Sequence, residues 1–366
     1  MIDLQKLFTD VFDPQPGEIA LVLIDTPHSS LPDTAGWAER RTMAIRWHAA
    51  LTQLAIARRF EVLPIVSFPA TGAHNAQLPA IGSQAGQPVA LAGLADRASL
   101  ALALTQFSAS APLIGWTQRA PRLRVASMPL VSPAMESSAL TADYSALARV
   151  CAHLRQRLSA AQAARISFSN GDTLLLDLRF REAYADDGQL RPGTTLPRVV
   201  NLPSGEAYSA VYEGEHAGMP SRTHGVLPVV WRGEIVRLEI AHNQVIDVLS
   251  RSEAATDLRN FLALDGARRN VAELGLGCNP RARVSGNPIE DEKAGPHIAL
   301  GRSEHIGGIT GPGAFEDPRH VWHYDFVYAR ASPLHMAELT LIGSDNQHDL
   351  LVYQGEYLVS TIAHAS

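Results

Sequence analysis

A chain of 366 residues is too long for one simple hydrophobic core, which makes two domains the default. Its 46% apolar and 19% charged residues are those of a folded globular protein and exclude disorder. A formal charge of −6 leaves no basic footprint for nucleic acid, and runs such as Arg119–Arg124 are short enough to be solvated loop.

The segment Met1–Pro16 carries Asp3, Asp10 and Asp13 and no positive region followed by an apolar one, so it does not read as a signal peptide. No apolar run approaches the roughly 20 residues that span a bilayer. The expected compartment is the cytoplasm, with no membrane partner. Two cysteines, Cys151 and Cys278, make a disulfide framework improbable, and no Cys-x-x-Cys or Cys/His spacing marks a thiolate metal site. Cys278 reads first as a small buried apolar residue.

Ile19–Ile24 is a short continuous apolar run, as expected of a strand buried on both faces. The spacing of Met43, Trp47, Leu51, Leu54 and Arg58 predicts a helix over Trp37–Arg59. Val62–Phe68 is a second apolar run, interrupted by Pro64. Strand, helix and strand in about fifty residues predict a right-handed βαβ unit of a parallel sheet. Thr71–Pro88 reads as loop, Leu94–Phe107 as helix, and Leu113–Trp116 and Leu123–Val125 as further strands. Thr141–Ala164 is a predicted helix with Tyr144, Leu147, Cys151, Leu154 and Leu158 on one stripe, capped by Thr141 or Asp143.

The pattern changes after Arg165. Ile166–Phe168, Thr173–Phe180, Ala207–Tyr212, Val226–Val230, Ile235–Ile240, Val245–Leu249, Ile298–Leu300 and Tyr324–Tyr328 are predicted short strands, with Glu253–Leu264 the one clear helix. The expected fold is an α/β N-terminal domain with a parallel, Rossmann-like sheet over residues 1–164. A mostly-β, α+β C-terminal domain that binds metal follows over residues 165–366.

The chemistry-bearing residues cluster in the second half. Asn201–Glu206 is a Pro/Gly turn that delivers Glu206 to the start of a strand. Glu273 lies in Val271–Gly277, among apolar residues and glycines where an unpaired carboxylate is costly. His297 opens His297–Gly301. His323 and Asp325, two apart on a strand, point to one face and could grip one ion. Each has a plainer alternative: a solvated turn for Glu206, a helix-terminal residue for Glu273, a hydrogen-bonded core imidazole for His297, a metal-free His–Asp pair for the last two. Asp291–Lys293 reads equally as a salt-bridged turn.

As a set in this chain order, the segments Asn201–Glu206 (NLPSGE), Ala272–Pro280 (AELGLGCNP), Asp291–Gly301 (DEKAGPHIALG) and Trp322–Asp325 (WHYD) resemble the M29 metallo-aminopeptidases, the aminopeptidase T/S group. The resemblance covers residues 166–366. It implies two divalent ions, Zn²⁺, Co²⁺ or Mn²⁺, on Glu206, Glu273, His297, His323 and Asp325, with Glu273 also in the catalytic set. It implies a metal-activated water that removes N-terminal residues from peptides, and a homodimer. The family places a tyrosine donor seven residues after the first histidine. That position is Glu304 here, and an ionised glutamate accepts hydrogen bonds without donating them. Arg302 or Lys293 then becomes the expected oxyanion donor.

The same group includes 2,5-dihydroxypyridine 5,6-dioxygenase-like members, which imply a mononuclear Fe(II) site and a small aromatic substrate. His216 and His224 would suit such a ring, although a solvated loop explains them as well. A non-catalytic binding subunit is the third alternative, motivated by Glu304. His28 joins the candidates only because it follows the C-terminal end of a strand, where α/β sheets bind ligands.

Overall fold

The computed structural model describes residues 2–193 and 198–358. The chain forms two compact units, each assembled from separate stretches. The first takes Met1–Ala148, Asp186–Gly205 and Asn279–Arg283, and the second takes Arg149–Ala185, Glu206–Cys278 and Val284–Ser366. The sequence pattern places one cut at 164/165, where the change from alternating elements to consecutive strands falls. It gives no sign that Val199–Asn201 pairs parallel with Arg124–Ser127 inside the first unit.

The first unit is built on a mixed sheet. Four parallel strands form its centre: β1 (Ile19–Thr26), β2 (Val66–Pro69), β3 (Leu100–Leu104) and β4 (Arg124–Ser127), in the spatial order β4-β3-β1-β2. The antiparallel hairpin Ile81–Gln84 and Gln87–Ala90 extends one edge, so the sheet is not purely parallel. The hairpin turns on Ala85 and Gly86, both at positive φ (49° and 79°), as a two-residue loop matched to strand twist requires. Its sequence lies in the stretch that reads as loop.

Three further expectations are corrected by the structure. Leu94–Phe107 does not form one helix. A short helix, Leu91–Arg97, ends and β3 begins at Leu100, with all five of its residues buried. A strand covered on both faces shows no polar alternation, so its apolar run cannot be told from a helix by period. Leu113–Trp116 is not a strand but part of the helix Ser110–Arg119, which buries Leu113, Trp116 and Thr117 at helical spacing. The predicted strand Val62–Phe68 is likewise broken: Glu61–Val62 and β2 each pair with β1, and Pro64, which lacks an N–H, lies between them.

The helix Tyr144–Ser159 keeps its predicted stripe, with Tyr144, Leu147, Cys151, Leu154 and Leu158 all buried. The Asp143 carboxylate accepts from the backbone N–H groups of Ser145 and Ala146, so Asp143 is the cap. The helix stops at Ser159, and Ala161–Phe168 is a strand rather than its last turns.

The second unit is two antiparallel sheets. One has eight strands, in the order Gln244–Val248, Glu234–Ala241, His224–Trp231, Thr173–Asp177, Ala161–Phe168, Met336–Gly343, His348–Tyr353 and Glu356–Tyr357. The other has five: Ala183–Asp186, β5 (Glu206–Ala210), β6 (Val271–Gly277), β7 (Pro296–Gly301) and β8 (His323–Val327), in that order. One hydrophobic cluster joins them, drawing Ile166, Leu174, Leu227 and Leu339 from the larger sheet and Leu274, Leu276, Ile298 and Leu300 from the smaller. No helix among the described residues is long and apolar enough to cross a membrane.

The buried strand β3 carries much of the first unit's core. Leu102→Ala should lower unfolding free energy by about 2–5 kcal/mol in urea denaturation. Ile56→Ala, on a side chain 82% exposed, should stay within about 0.5 kcal/mol.

Candidate metal centre

In an antiparallel ladder, residues directly opposite each other share a face and neighbours along one strand alternate. Glu206 is paired with Gly277, Tyr208 with Gly275 and Ala210 with Glu273. Gly275 is paired with His297 and Glu273 with Ala299. Ala299 is paired with Asp325 and Gly301 with His323. Glu206, Glu273, His297, His323 and Asp325 therefore all project from one face of the five-stranded sheet. The intervening residues Ala207, Leu274, Leu276, Ile298, Leu300 and Phe326 belong to the hydrophobic core on the other.

The face has room for them because its remaining positions are small. A Cβ on Gly275 would lie 1.9 Å from His297 Nε2, and one on Gly277 would lie 2.1 Å from the Glu292 carbonyl oxygen. The glycines of Val271–Gly277 thus serve close approach.

Donor atoms of Glu206, Glu273 and His297 form one group with mutual separations within 4.8 Å, and those of Glu273, His323 and Asp325 form another. Glu273 belongs to both. His297 Nε2 lies 3.5 Å from Glu206 Oε2, 3.7 Å from Glu273 Oε1 and 4.0 Å from Asp325 Oδ1. His323 Nε2 lies 3.3 Å from Glu273 Oε2 and 3.4 Å from Asp325 Oδ1. These separations are long for hydrogen bonds. They match ligands of a common ion: two donors about 2.1 Å from one zinc at a tetrahedral angle sit about 3.4 Å apart.

Two further observations fit a cation. Both imidazoles direct Nδ1 at backbone carbonyls, His323 to Arg302 at 2.6 Å and His297 to Gly295 at 3.3 Å. That leaves each Nε2 facing the carboxylates, the arrangement that orients a histidine ligand. Glu206 Oε2 is buried without a hydrogen-bond partner among the described residues. Glu206, Glu273 and His297 are buried, whereas the side chains of His323 and Asp325 keep 20% and 15% exposure. Solvent therefore reaches the cluster from the His323–Asp325 side.

The electrostatics are those of a site that attracts positive charge. Burial pushes the Glu206 carboxyl up, to about 8, against the pull of the Lys293 ammonium. Burial would also raise Glu273, but the imidazoles of His297 and His323 beside it hold its carboxyl well below the usual range. Burial opposes protonation of His297, and the surrounding carboxylates of Glu273, Asp325 and Glu206 overcome it, raising the imidazole to about 10. His323 is raised against the same burial cost, chiefly by Asp325 and Glu273.

Lys293 and Arg302 both have carboxylate partners. Lys293 is fully buried, with Nζ 2.6 Å from Glu206 Oε1 and 2.7 Å from Glu292 Oε1. Arg302 donates to Glu304 Oε2 from Nε at 2.9 Å and from an amino nitrogen at 2.7 Å, and the Glu304 side chain is 46% exposed. His28 belongs to the first unit, where Nε2 contacts the Ala70 carbonyl at 3.1 Å. His216 stacks on Tyr212, and exposed His224 starts a strand with Nδ1 on the Arg222 carbonyl.

Sequence reasoning passed over two residues. Glu292 reads as half of a salt-bridged turn, and it does pair with Lys293, but its charge also acts on Glu206 and Asp325. His305 carried no signal. It is exposed and sits edge-on to His323, ring centroids 4.9 Å apart.

No protein-family model matches the chain, and no curated protein matches it. Solved structures do. The chain is similar to the 2,5-dihydroxypyridine dioxygenase of Pseudomonas putida KT2440, with a TM-score of 0.65 and 16% identity over 97% of this chain and 96% of that one. It is also similar to AmpT of Thermus thermophilus, an M29 aminopeptidase, with a TM-score of 0.55 and 16% identity over 97% of this chain and 99% of that one. Both neighbours are enzymes. The fold is that of the two branches, aminopeptidase and dioxygenase, that the motifs of residues 201–325 resemble.

Proposed function

We propose that this protein is a metal-dependent hydrolase of the M29 aminopeptidase type. It would hold two divalent ions, Zn²⁺, Co²⁺ or Mn²⁺, on Glu206, Glu273, His297, His323 and Asp325. The observation that carries this reading is the pair of three-residue donor groups that share Glu273. A bridging carboxylate between two donor sets is what a two-ion site uses. When bound, such ions bring a water toward ionisation near neutral pH and polarise a carbonyl.

The chain's own residues set the stage for that chemistry. Lys293 fixes the Glu206 carboxylate through Oε1, leaving Oε2 for the shared face. The Arg302 and Gly295 carbonyls fix both imidazoles. Glu304 takes the place of a tyrosine donor and accepts hydrogen bonds from the Arg302 guanidinium. His305, next to Glu304 and exposed beside His323, supplies an N–H on the open side of the cluster. The substrate class is short peptides with a free amino terminus. The resemblance also favours a homodimer.

A second reading is favoured by a specific feature. Lys293 already neutralises Glu206, which leaves Glu273, His323 and Asp325 as one three-donor group that could hold a single Fe(II). That arrangement fits ring-cleaving dioxygenation of a dihydroxypyridine-like substrate.

Metal analysis of purified protein with anomalous scattering separates the two. Two ions per chain and release of amino acids from short peptides without O₂ uptake are expected. One iron per chain with O₂ consumption on a dihydroxypyridine would reject the hydrolase. Glu273→Ala removes the shared carboxylate and should weaken metal binding by more than about 100-fold, beyond what outer-sphere changes cost. Retention of full metal content and turnover in that variant would exclude this site.

The small-residue face gives an independent check. Gly275→Ala places a methyl group against His297 Nε2 and should displace the ring. The expected outcome is loss of bound metal together with about 1–3 kcal/mol of stability, read by metal content and urea midpoint.

A further inference from the structure

We propose that Cys151 and Cys278 form a redox-active thiol pair, a site of reversible disulfide formation within one chain. They lie 127 residues apart in sequence, yet their Sγ atoms are 3.5 Å apart. Cys151 is fully buried on the apolar stripe of the helix Tyr144–Ser159. Cys278 is the first residue beyond β6 and is partly exposed. The two therefore differ in the way a reactive pair must: one sulfur that a small oxidant can reach, and one behind it that only its neighbour can reach.

The distance is a van der Waals contact, and rotation about the two Cα–Cβ bonds offers a short route to a bond of about 2.0 Å. The reaction with hydrogen peroxide balances without another reductant or oxidant. The Cys278 thiolate attacks one peroxide oxygen; the S–O bond forms, the O–O bond breaks, and hydroxide leaves as water after taking a proton. The Cys151 sulfur then attacks the sulfenic sulfur; the S–S bond forms, the S–O bond breaks, and a second water leaves. Two thiols and one peroxide become one disulfide and two waters.

A third group lies near the pair. The Tyr357 hydroxyl is buried without a hydrogen-bond partner among the described residues, and it neighbours both sulfurs. The bridge would tie the helix to the end of the strand that carries Glu273. The residue before Cys278 is Gly277, the direct ladder partner of Glu206. Oxidation is thus registered at the edge of the candidate metal face, although the proposal does not depend on what that face binds.

The test uses the full chain, reduced, cleared of reductant and treated with hydrogen peroxide. The protein is then denatured in N-ethylmaleimide and measured by intact mass and peptide mapping. The expected product is a monomer about 2 Da lighter than the reduced chain. It should take up no maleimide, yield a linked Cys151–Cys278 peptide, and regain both alkylation sites after dithiothreitol. Cys278→Ser should leave Cys151 alkylatable under the same treatment. The wild-type peptide map decides the question even if that variant folds poorly. Both thiols alkylatable after peroxide, sulfinic acid on Cys278 with Cys151 untouched, or disulfide-linked dimers instead of the internal bridge would each overturn the proposal.

Discussion

Pairing parity in the five-stranded antiparallel sheet governs the candidate site. Because directly opposed residues share a face, a glutamate, a glycine, a histidine and an alanine on neighbouring strands decide together whether charges meet or scatter. Glu206 faces Gly277, His297 faces Gly275, and Asp325 faces Ala299. A slip of one residue in any of these strands would turn its ligand toward the core and a core-facing residue, such as Ala207, Leu274, Ile298 or Phe326, toward the carboxylates. The glycines hold the same constraint from the other direction, since a methyl group on Gly275 would occupy the place of His297 Nε2.

That parity places three carboxylates and two imidazoles together away from bulk water, an expensive arrangement unless positive charge offsets it. The structure offsets part of it with the fully buried Lys293, whose ammonium bridges Glu206 and Glu292. The balance between this internal cation and bound metal is the physical difference between the two functional readings. An ammonium that permanently satisfies Glu206 favours a single ion on Glu273, His323 and Asp325. One that only orients Glu206 leaves Oε2 to join Glu273 around a second. The two solved neighbours fall on either side of that divide, and their fold alone does not choose between them.

The secondary structure was legible where the pattern carried a period. The helix over Ala35–Arg58 and the stripe on Tyr144–Ser159 followed from apolar spacing. The strands His224–Trp231 and Glu234–Ala241 followed from short apolar runs bounded by turns. It was illegible where burial was complete. Leu100–Leu104 lost its period because both faces are covered, and Val271–Gly277 carried a charged residue and two glycines in a strand with no exposed residue. The discontinuous units were hidden for another reason: a three-residue parallel pairing such as Val199–Asn201 leaves no local trace.

The residues of the candidate site could be named from the sequence, because glutamate and histidine among glycines and leucines demand a compensating partner and their order along the chain matches a known group of motifs. Sequence by itself thus determined which side chains needed explaining. Only the tertiary structure decided what they do to one another: that Glu273 belongs to two donor groups, that Lys293 holds Glu206, that Glu304 holds Arg302, and that His305 stands beside His323. The physical reason is range. Propensity and burial act on a residue and its near neighbours, whereas charge compensation depends on register between strands that lie dozens of residues apart.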